Sequence, residues 1–319
     1  MNKYTVGPPP KEVALLLTQE LYSLNTVIGL FYAGSAALDE LLYTQERKLI
    51  SDIEIGVYIS SFKQFRKIKS IEKKLRKKFS FDIELFCVSK NRYELGTVQN
   101  GSRIKSHVNL LMFDIYNSAK WIFMKEEAHP PGEFLDSRNI DLWEAVKLVL
   151  NRYGESLQYF EDLSELSSLN EQQYRWVTKC YLAVGDAFLI SKGMYVSGYR
   201  NRAKCWEQLK NDNISSNLNI PNILSAYRVR LDNSGVFFNG SSESFVEDIK
   251  NAIILILNVN KDTFYKNYRV ILAEHHKARR VMFHNRFMDF FVILRSIIFR
   301  LQEKKLSRIL YYRLKKAEF

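Results

Sequence analysis

Two carboxylates separated by a single residue open an apolar run in the first fifth of this chain. Asp52 and Glu54 flank Ile53, and the run continues to Ile59. In a β-strand, alternate side chains leave the same face, so both carboxylates would project together. Two such groups repel unless a cation lies between them, and Mg²⁺ binds carboxylate oxygens. The stretch Asp52–Ile59 is therefore predicted to be a strand with a metal-binding face.

A glycine-serine pair ends the preceding apolar run. The β-rich residues 26–32 are followed by Ala33, Gly34 and Ser35. Glycine lets the backbone approach a phosphate without a Cβ clash. Ser35 occupies the N-cap position of a helix predicted in "AALDELLYTQERKL". Because the N–H groups at a helix start bind anions, Gly34 and Ser35 are predicted to contact the phosphates of a nucleotide.

A third strand with acidic residues is predicted after a basic helix. Helical spacing of apolar residues over 62–75 predicts a helix whose other face is nearly all Lys and Arg. The segment "FSFDIELFCVS" then alternates, with Asp82 and Glu84 on one face. Three or four carboxylates around two metal ions would hold a nucleotide's phosphates and activate an acceptor hydroxyl. Alternation alone would also place them on the solvent face of a two-sided sheet.

The segments "YAGS", "SDIEIGVY" and "FDIELF" resemble the nucleotidyltransferase superfamily. DNA polymerase β, poly(A) polymerases, kanamycin nucleotidyltransferase and the minimal nucleotidyltransferases share its fold. The resemblance covers roughly residues 25–125. It implies an α+β fold with a small mixed sheet, Mg²⁺ or Mn²⁺ as cofactor, and transfer of a nucleoside monophosphate from an NTP to a hydroxyl acceptor.

The resemblance also implies roles for individual residues. Gly34 and Ser35 match the Gly-Ser pair of the family, and Asp52 and Glu54 match its two metal-binding carboxylates. The third carboxylate falls on Asp82 or Glu84, and the sequence does not choose between them.

Two features depart from the family pattern. Sixteen residues separate Ser35 from Asp52, a longer gap than usual, so the helix between them is expected to be extended or followed by a loop. The arginine common just after the Gly-Ser pair in minimal members is replaced by Ala36 and Ala37, which removes one phosphate contact.

The rest of the chain is predicted to be mainly helical. Residues 1–125 form the predicted catalytic domain, in which "LLMFDIYNSAKWIFM" has helical spacing, and 126–140 form a linker with a proline cluster. Residues 141–319 are predicted to be an all-α domain, similar to that of aminoglycoside-modifying members. From this domain, Lys179 and Tyr199 are predicted either to reach the nucleotide or to be ordinary residues of a helix surface.

The net charge of +12 is concentrated at the C-terminus. Residues 261–319 hold fifteen Lys and Arg against five Asp and Glu. This tail predicts either a solvated helix face or a surface for an anionic partner such as nucleic acid or a membrane. A second function therefore stays open, a catalytically weak regulatory protein that binds nucleotide or nucleic acid on the same fold.

Cysteine usage and hydropathy bear on the compartment. Cys87, Cys180 and Cys205 lie far apart with no paired spacing, which argues against a zinc site and a disulfide framework. No uninterrupted apolar span has membrane length. A cytoplasmic location is expected.

Overall fold

A computed structural model of the chain describes residues 4–90, 110–125, 135–140, 142–156, 166, 169–209, 218–232 and 238–257. Its strands are β1 (Tyr4–Gly7), β2 (Val27–Tyr32), β3 (Leu41–Thr44), β4 (Ile53–Ile59), β5 (Ile83–Ser89) and β6 (Lys120–Met124). The larger sheet has the order β5-β4-β2-β6, in which β4 and β5 are parallel and the other neighbours antiparallel. The prediction of an α+β chain with a small mixed sheet is confirmed.

The helices precede, connect and follow these strands. They are α1 (Lys11–Leu21), α2 (Gly34–Ala37), α3 (Phe65–Lys78), α4 (Leu110–Ser118), α5 (Leu142–Ser156), α6 (Glu171–Ser191), α7 (Tyr199–Leu209), α8 (Ile220–Asp232) and α9 (Ser242–Leu257). Among the helices of the described residues, none is long and apolar enough to cross a membrane.

Both faces of the larger sheet are covered by apolar side chains. On one face, Leu17 of α1 and Ile68 and Leu75 of α3 pack into a cluster with Ile53 and Ile55 of β4. Because side chains alternate along a strand, Glu54 and the residues in step with it leave the opposite face.

That opposite face is packed against α4. Phe31 and Tyr58 lie in a cluster with Ile115 there. The Phe31 ring lies where a side chain on Gly56 would otherwise be. On this face the first residues of β4 and β5 are acidic, Glu54 and Glu84.

The helix predicted in "AALDELLYTQERKL" does not extend beyond Ala37, and four of its residues form a strand instead. α2 ends at Ala37, and Asp39 adopts a positive φ of 57°, which stops the helix. The following residues, Leu41–Thr44, form β3 and pair antiparallel with β1. Leu41 is fully buried, so pairing and burial override the helix propensity of this segment.

A second correction concerns "LLMFDIYNSAKWIFM". Only its first part is helical, because α4 ends at Ser118. Lys120–Met124 instead forms β6, which pairs antiparallel with β2 at the edge of the sheet. Tertiary pairing again decides a segment whose apolar spacing suits a helix.

Contacts divide the chain into two units. Unit 1 comprises residues 1–144, 189–215 and 220–237, and unit 2 comprises residues 145–188, 216–219 and 238–319. Unit 1 therefore contains α7 and α8 in addition to the region predicted as the catalytic domain.

Unit 2 has an aromatic core. The ring of Tyr181 stacks on Phe238 with centroids 5.4 Å apart, and Tyr153 and Phe245 are buried beside them. The Tyr181 hydroxyl donates to Asp248 at 2.7 Å. The basic tail at 261–319 lies outside the described residues, so the all-α domain as a whole stays a prediction.

Candidate metal and nucleotide site

Three exposed carboxylates meet at the end of the sheet where β4 and β5 begin. Asp52, Glu54 and Glu84 can each offer one oxygen that lies within 4.8 Å of the other two. Glu54 and Glu84 are direct partners in the parallel register, and Asp52 precedes β4 by one residue. Like charges at such distances repel, and a divalent cation bound between them would remove that repulsion.

The structure brings Glu84 rather than Asp82 into this group. Asp82 lies just before β5, where its carbonyl oxygen accepts a hydrogen bond from the Ile53 N–H at 2.9 Å. Its side chain is exposed but outside the group of three. The geometry therefore favours Glu84 of the two candidates that the sequence left open.

The Gly-Ser turn lies directly against one of these carboxylates, that of Glu54. Gly34 has a positive φ of 53°, and a Cβ there would lie closer than 3.0 Å to Oε2 of Glu54. The Ala33 N–H also donates to the Glu54 carbonyl oxygen at 3.0 Å. Glycine is thus favoured at position 34 by its left-handed backbone conformation, and a side chain there would require the Glu54 carboxylate to shift.

An arginine from far along the chain contacts the serine of this turn. Arg230 in α8 donates from Nη2 to the Ser35 hydroxyl oxygen at 2.6 Å and from Nη1 to the Glu40 carbonyl oxygen at 3.0 Å. Its guanidinium lies 4.6 Å from the centroid of the Tyr199 ring. Because Ser35 accepts from Arg230, its hydroxyl proton remains free to donate to another acceptor. The turn therefore presents a fixed positive charge and a hydroxyl donor.

Glu40 fixes the other end of the turn. Its buried carboxylate accepts the Tyr199 N–H at 2.8 Å and the Arg200 N–H at 2.9 Å. These are unpaired donors at the start of α7, and a carboxylate there is also favoured by the helix dipole. Glu40 therefore ties the turn to the helix that carries Tyr199.

A buried polar network holds the segment before α7 against α4. Asp114 accepts hydrogen bonds from the Ser197 hydroxyl at 2.7 Å and from the Tyr195 hydroxyl at 3.1 Å, and Arg202 donates to Tyr195. Burial raises the pKa of the Asp114 carboxyl, while Arg202 and the two hydroxyl donors oppose that rise. The network supports the position of α7 and of its first residue, Tyr199.

The two residues predicted to reach the nucleotide from the helical region lie in different units. Lys179 belongs to unit 2, where its ammonium lies 4.5 Å from the centroid of the Trp176 ring. Tyr199 belongs to unit 1, where its ring contacts the guanidinium groups of Arg202 and Arg230. Both assignments to nucleotide binding stay predictions.

Arg230 and Glu40 are the site residues that the sequence does not reveal. Arg230 lies 195 positions after Ser35, in a helix that has one other basic residue, Arg228. Glu40 lies in a segment that reads as an ordinary helix surface. Neither belongs to a motif, so only the folded chain brings them to the turn.

Replacing Gly34 by alanine is expected to abolish metal binding at the carboxylates. The new Cβ would displace the Glu54 carboxylate, and the left-handed backbone would cost about 1–2 kcal/mol. The measurement is the rise in melting temperature caused by Mn²⁺. Gly193→Ala is the control, because Gly193 has a similar φ of 64° and its Cβ would meet Arg138 instead. An Mn²⁺ response that survives in Gly34→Ala would contradict the role of the turn.

No known protein-family model matches the sequence, and a search of curated proteins gives no match.

Proposed function

We propose that this chain is a metal-dependent nucleotidyltransferase that moves a nucleoside monophosphate from an NTP to a hydroxyl acceptor. One observation carries the proposal. The carboxylates of Asp52, Glu54 and Glu84 lie together where two parallel strands begin, Glu54 lies against the left-handed Gly34, and the next residue is a serine that accepts from an arginine. Carboxylates that could bind a metal and hydrogen-bond donors that could bind phosphate thus lie next to each other at the Gly34-Ser35 turn.

Different residues would act at the two ends of the triphosphate. Asp52, Glu54 and Glu84 would hold Mg²⁺ or Mn²⁺, which supplies Lewis-acid stabilisation of phosphate charge and lowers the pKa of the acceptor hydroxyl. Ser35 and Arg230 would bind the terminal phosphates by charge-assisted hydrogen bonds. Arg230 would then replace the arginine that the Gly-Ser pair lacks on its own strand-to-helix turn.

The balance of the reaction follows from these roles. The acceptor oxygen loses its proton to a neighbouring carboxylate or to water and forms a bond to the α-phosphorus, while the bond from that phosphorus to the bridging oxygen breaks. The leaving pyrophosphate takes the electron pair of the broken bond. Arg230 and Ser35 would stabilise the charge that develops on it.

The test is transfer of label from each of the four α-labelled NTPs with Mn²⁺, in the presence of cell extract as the source of acceptor. We expect one NTP to label a product while releasing pyrophosphate. Arg230→Met should weaken the binding of that NTP by about tenfold or more, since it removes charged hydrogen bonds. Arg228→Met is the control, because Arg228 lies on the same helix and pairs with Glu207. Absence of label transfer with all four NTPs would contradict the proposal.

A second function is favoured by one observation. Ala36 and Ala37 are buried, so the turn offers no cation of its own, and among the described residues the guanidinium that contacts Ser35, that of Arg230, is already hydrogen-bonded to it. A nucleotide-binding regulatory protein with little turnover would fit this arrangement. It would show stabilisation by NTP and Mn²⁺ without transfer of label.

A further inference from the structure

The outer face of α3 is strongly basic. Between residues 63 and 78 the chain has nine Lys and Arg and a single acidic residue, Glu72. Glu72 is buried and already bound by Lys69 at 2.5 Å and Arg76 at 2.9 Å. Its charge therefore does not neutralise the remaining cations.

The cations of α3 are ordered by the helical repeat. Ile68, Ile71 and Leu75 are buried against the sheet. With 3.6 residues per turn, Arg66, Lys73 and Lys77 lie directly opposite them and form one outward row. Lys67 and Lys78 both lie to one side of this row, roughly 100° further round the helix. These five side chains and Lys63 are exposed, and within the described part of the chain none of the six forms an ion pair.

Two aromatic rings extend the charged row at its N-terminal end. Phe62 is 41% exposed and Phe65 is 38% exposed, and their ring centroids are 6.1 Å apart. Large apolar side chains at the surface are not needed for the fold of a short basic helix. A row of cations that ends in exposed rings is the combination by which proteins bind single-stranded nucleic acid.

The apolar face of α3 distinguishes nucleic acid from a membrane. A helix that lies in a lipid surface buries its apolar face among acyl chains. That face of α3 is used inside the protein, since Ile68, Ile71 and Leu75 are at most 6% exposed. The outward row is polar, so it suits a phosphate backbone in water rather than a bilayer.

We propose that the outer face of α3, defined by Arg66, Lys67, Lys73, Lys77 and Lys78 with Phe62 and Phe65, binds single-stranded nucleic acid. The Lys and Arg side chains contact successive phosphates of the strand, and the two phenylalanine rings stack on bases. This binding is independent of the proposed transfer reaction. The C-terminal end of α3 nevertheless lies close to the start of β5, because Arg76 donates to the carbonyl oxygen of Ile83, the residue before Glu84.

The test is the affinity of the full chain for 20-nucleotide oligouridine and oligothymidine, measured by fluorescence anisotropy in EDTA over a range of salt. The variant Arg66→Gln, Lys73→Gln, Lys77→Gln should lower the slope of log K against log salt by about 2, because each phosphate contact to a single strand contributes about 0.7. The matched control is Lys11→Gln, Lys48→Gln, Lys204→Gln, which removes the same charge at exposed positions away from α3. It should leave the slope nearly unchanged.

Two further measurements distinguish binding of bases and of lipid from binding of phosphate. Phe62→Ala with Phe65→Ala should weaken oligonucleotide binding at least about fivefold, since base stacking is lost, while leaving binding of inorganic polyphosphate unchanged. Vesicles with 30% phosphatidylserine should bind both triple variants equally. Equal loss of oligonucleotide binding in the α3 and control variants would overturn the proposal, and so would a loss of vesicle binding that is confined to the α3 variant. The variant Glu54→Gln should bind oligonucleotide as the unmodified chain does, so failure of the transfer reaction would leave this result intact.

Discussion

Glu54→Gln is expected to abolish the rise in melting temperature that Mn²⁺ and a non-hydrolysable NTP analogue produce, and to lower label transfer at least about a hundredfold. The amide keeps the size of the side chain but removes the charge that binds the cation. A ligand that binds only the folded state stabilises it by about 2.7 kcal/mol at one hundred times its dissociation constant. That stabilisation disappears when the ligand no longer binds. A metal ion supplies several kcal/mol of transition-state stabilisation, and each 1.36 kcal/mol is a factor of ten in rate.

The variant without metal should be as stable as the unmodified chain or more stable. Three like charges within 4.8 Å of one another repel in the absence of a cation, and the substitution removes one of them. This combination of lost response and retained stability separates a metal site from a damaged fold.

Two neighbouring carboxylates provide the matched variants. Glu84→Gln should behave as Glu54→Gln does, because the two residues are register partners within the group. Asp82→Asn should keep the Mn²⁺ response, because its carboxylate lies outside the group. If Asp82→Asn lost the Mn²⁺ response while Glu84→Gln kept it, Asp82 rather than Glu84 would be the third ligand. A full Mn²⁺ response in Glu54→Gln would reject the metal site.

Gly56→Ala is expected to lower the free energy of unfolding by about 1–3 kcal/mol, and Gly56→Val by more. A Cβ at Gly56 would lie closer than 3.0 Å to three atoms of the Phe31 ring. That ring cannot move aside, because it is fully buried between Trp121 at 5.0 Å and Phe86 at 6.0 Å between centroids. The backbone of β4 would have to shift, and with it the start of the strand that carries Glu54.

Urea unfolding of the full chain measures this loss. Gly7→Ala is the control, since a Cβ there would meet the Tyr43 ring at 3.4 Å, an ordinary contact. Phe31→Leu should recover part of the loss when combined with Gly56→Ala, because it vacates the space that the new methyl group needs. Equal stabilities for Gly56→Ala and Gly7→Ala would show that the two strands accommodate the methyl group freely.

The local sequence pattern is sufficient to predict three elements of unit 1, namely β4, β5 and α3. The alternation of β4 and β5 and the amphipathic repeat of α3 predict these elements and the face on which Glu54 and Glu84 lie. Alternation treats Asp82 and Glu84 alike, however, because both are on one face. The parallel register pairs Glu84 with Glu54, and register is a property of two strands together.

Other parts of the fold depend on distant partners. The segment at Leu41–Thr44 has the composition of a helix and becomes a strand because β1 pairs with it. Arg230 reaches Ser35 across 195 positions of sequence. No local signal in either segment indicates its partner. The sequence therefore predicts the carboxylates of the candidate site but not the guanidinium of Arg230.

The connection of Glu40 to α7 and α8 has a consequence for the order in which a nascent chain acquires its structure. All six strands of the described residues lie before residue 125, so the sheet can pair early in synthesis. The N–H groups that satisfy Glu40 come 159 and 160 residues later, and the guanidinium that holds Ser35 comes later still. Contacts of such long separation form slowly, since a long loop must close first. The sheet and its acidic edge therefore precede the completed turn, and the growing polypeptide gains the contacts of Ser35 with Arg230 only after residue 230 has left the ribosome.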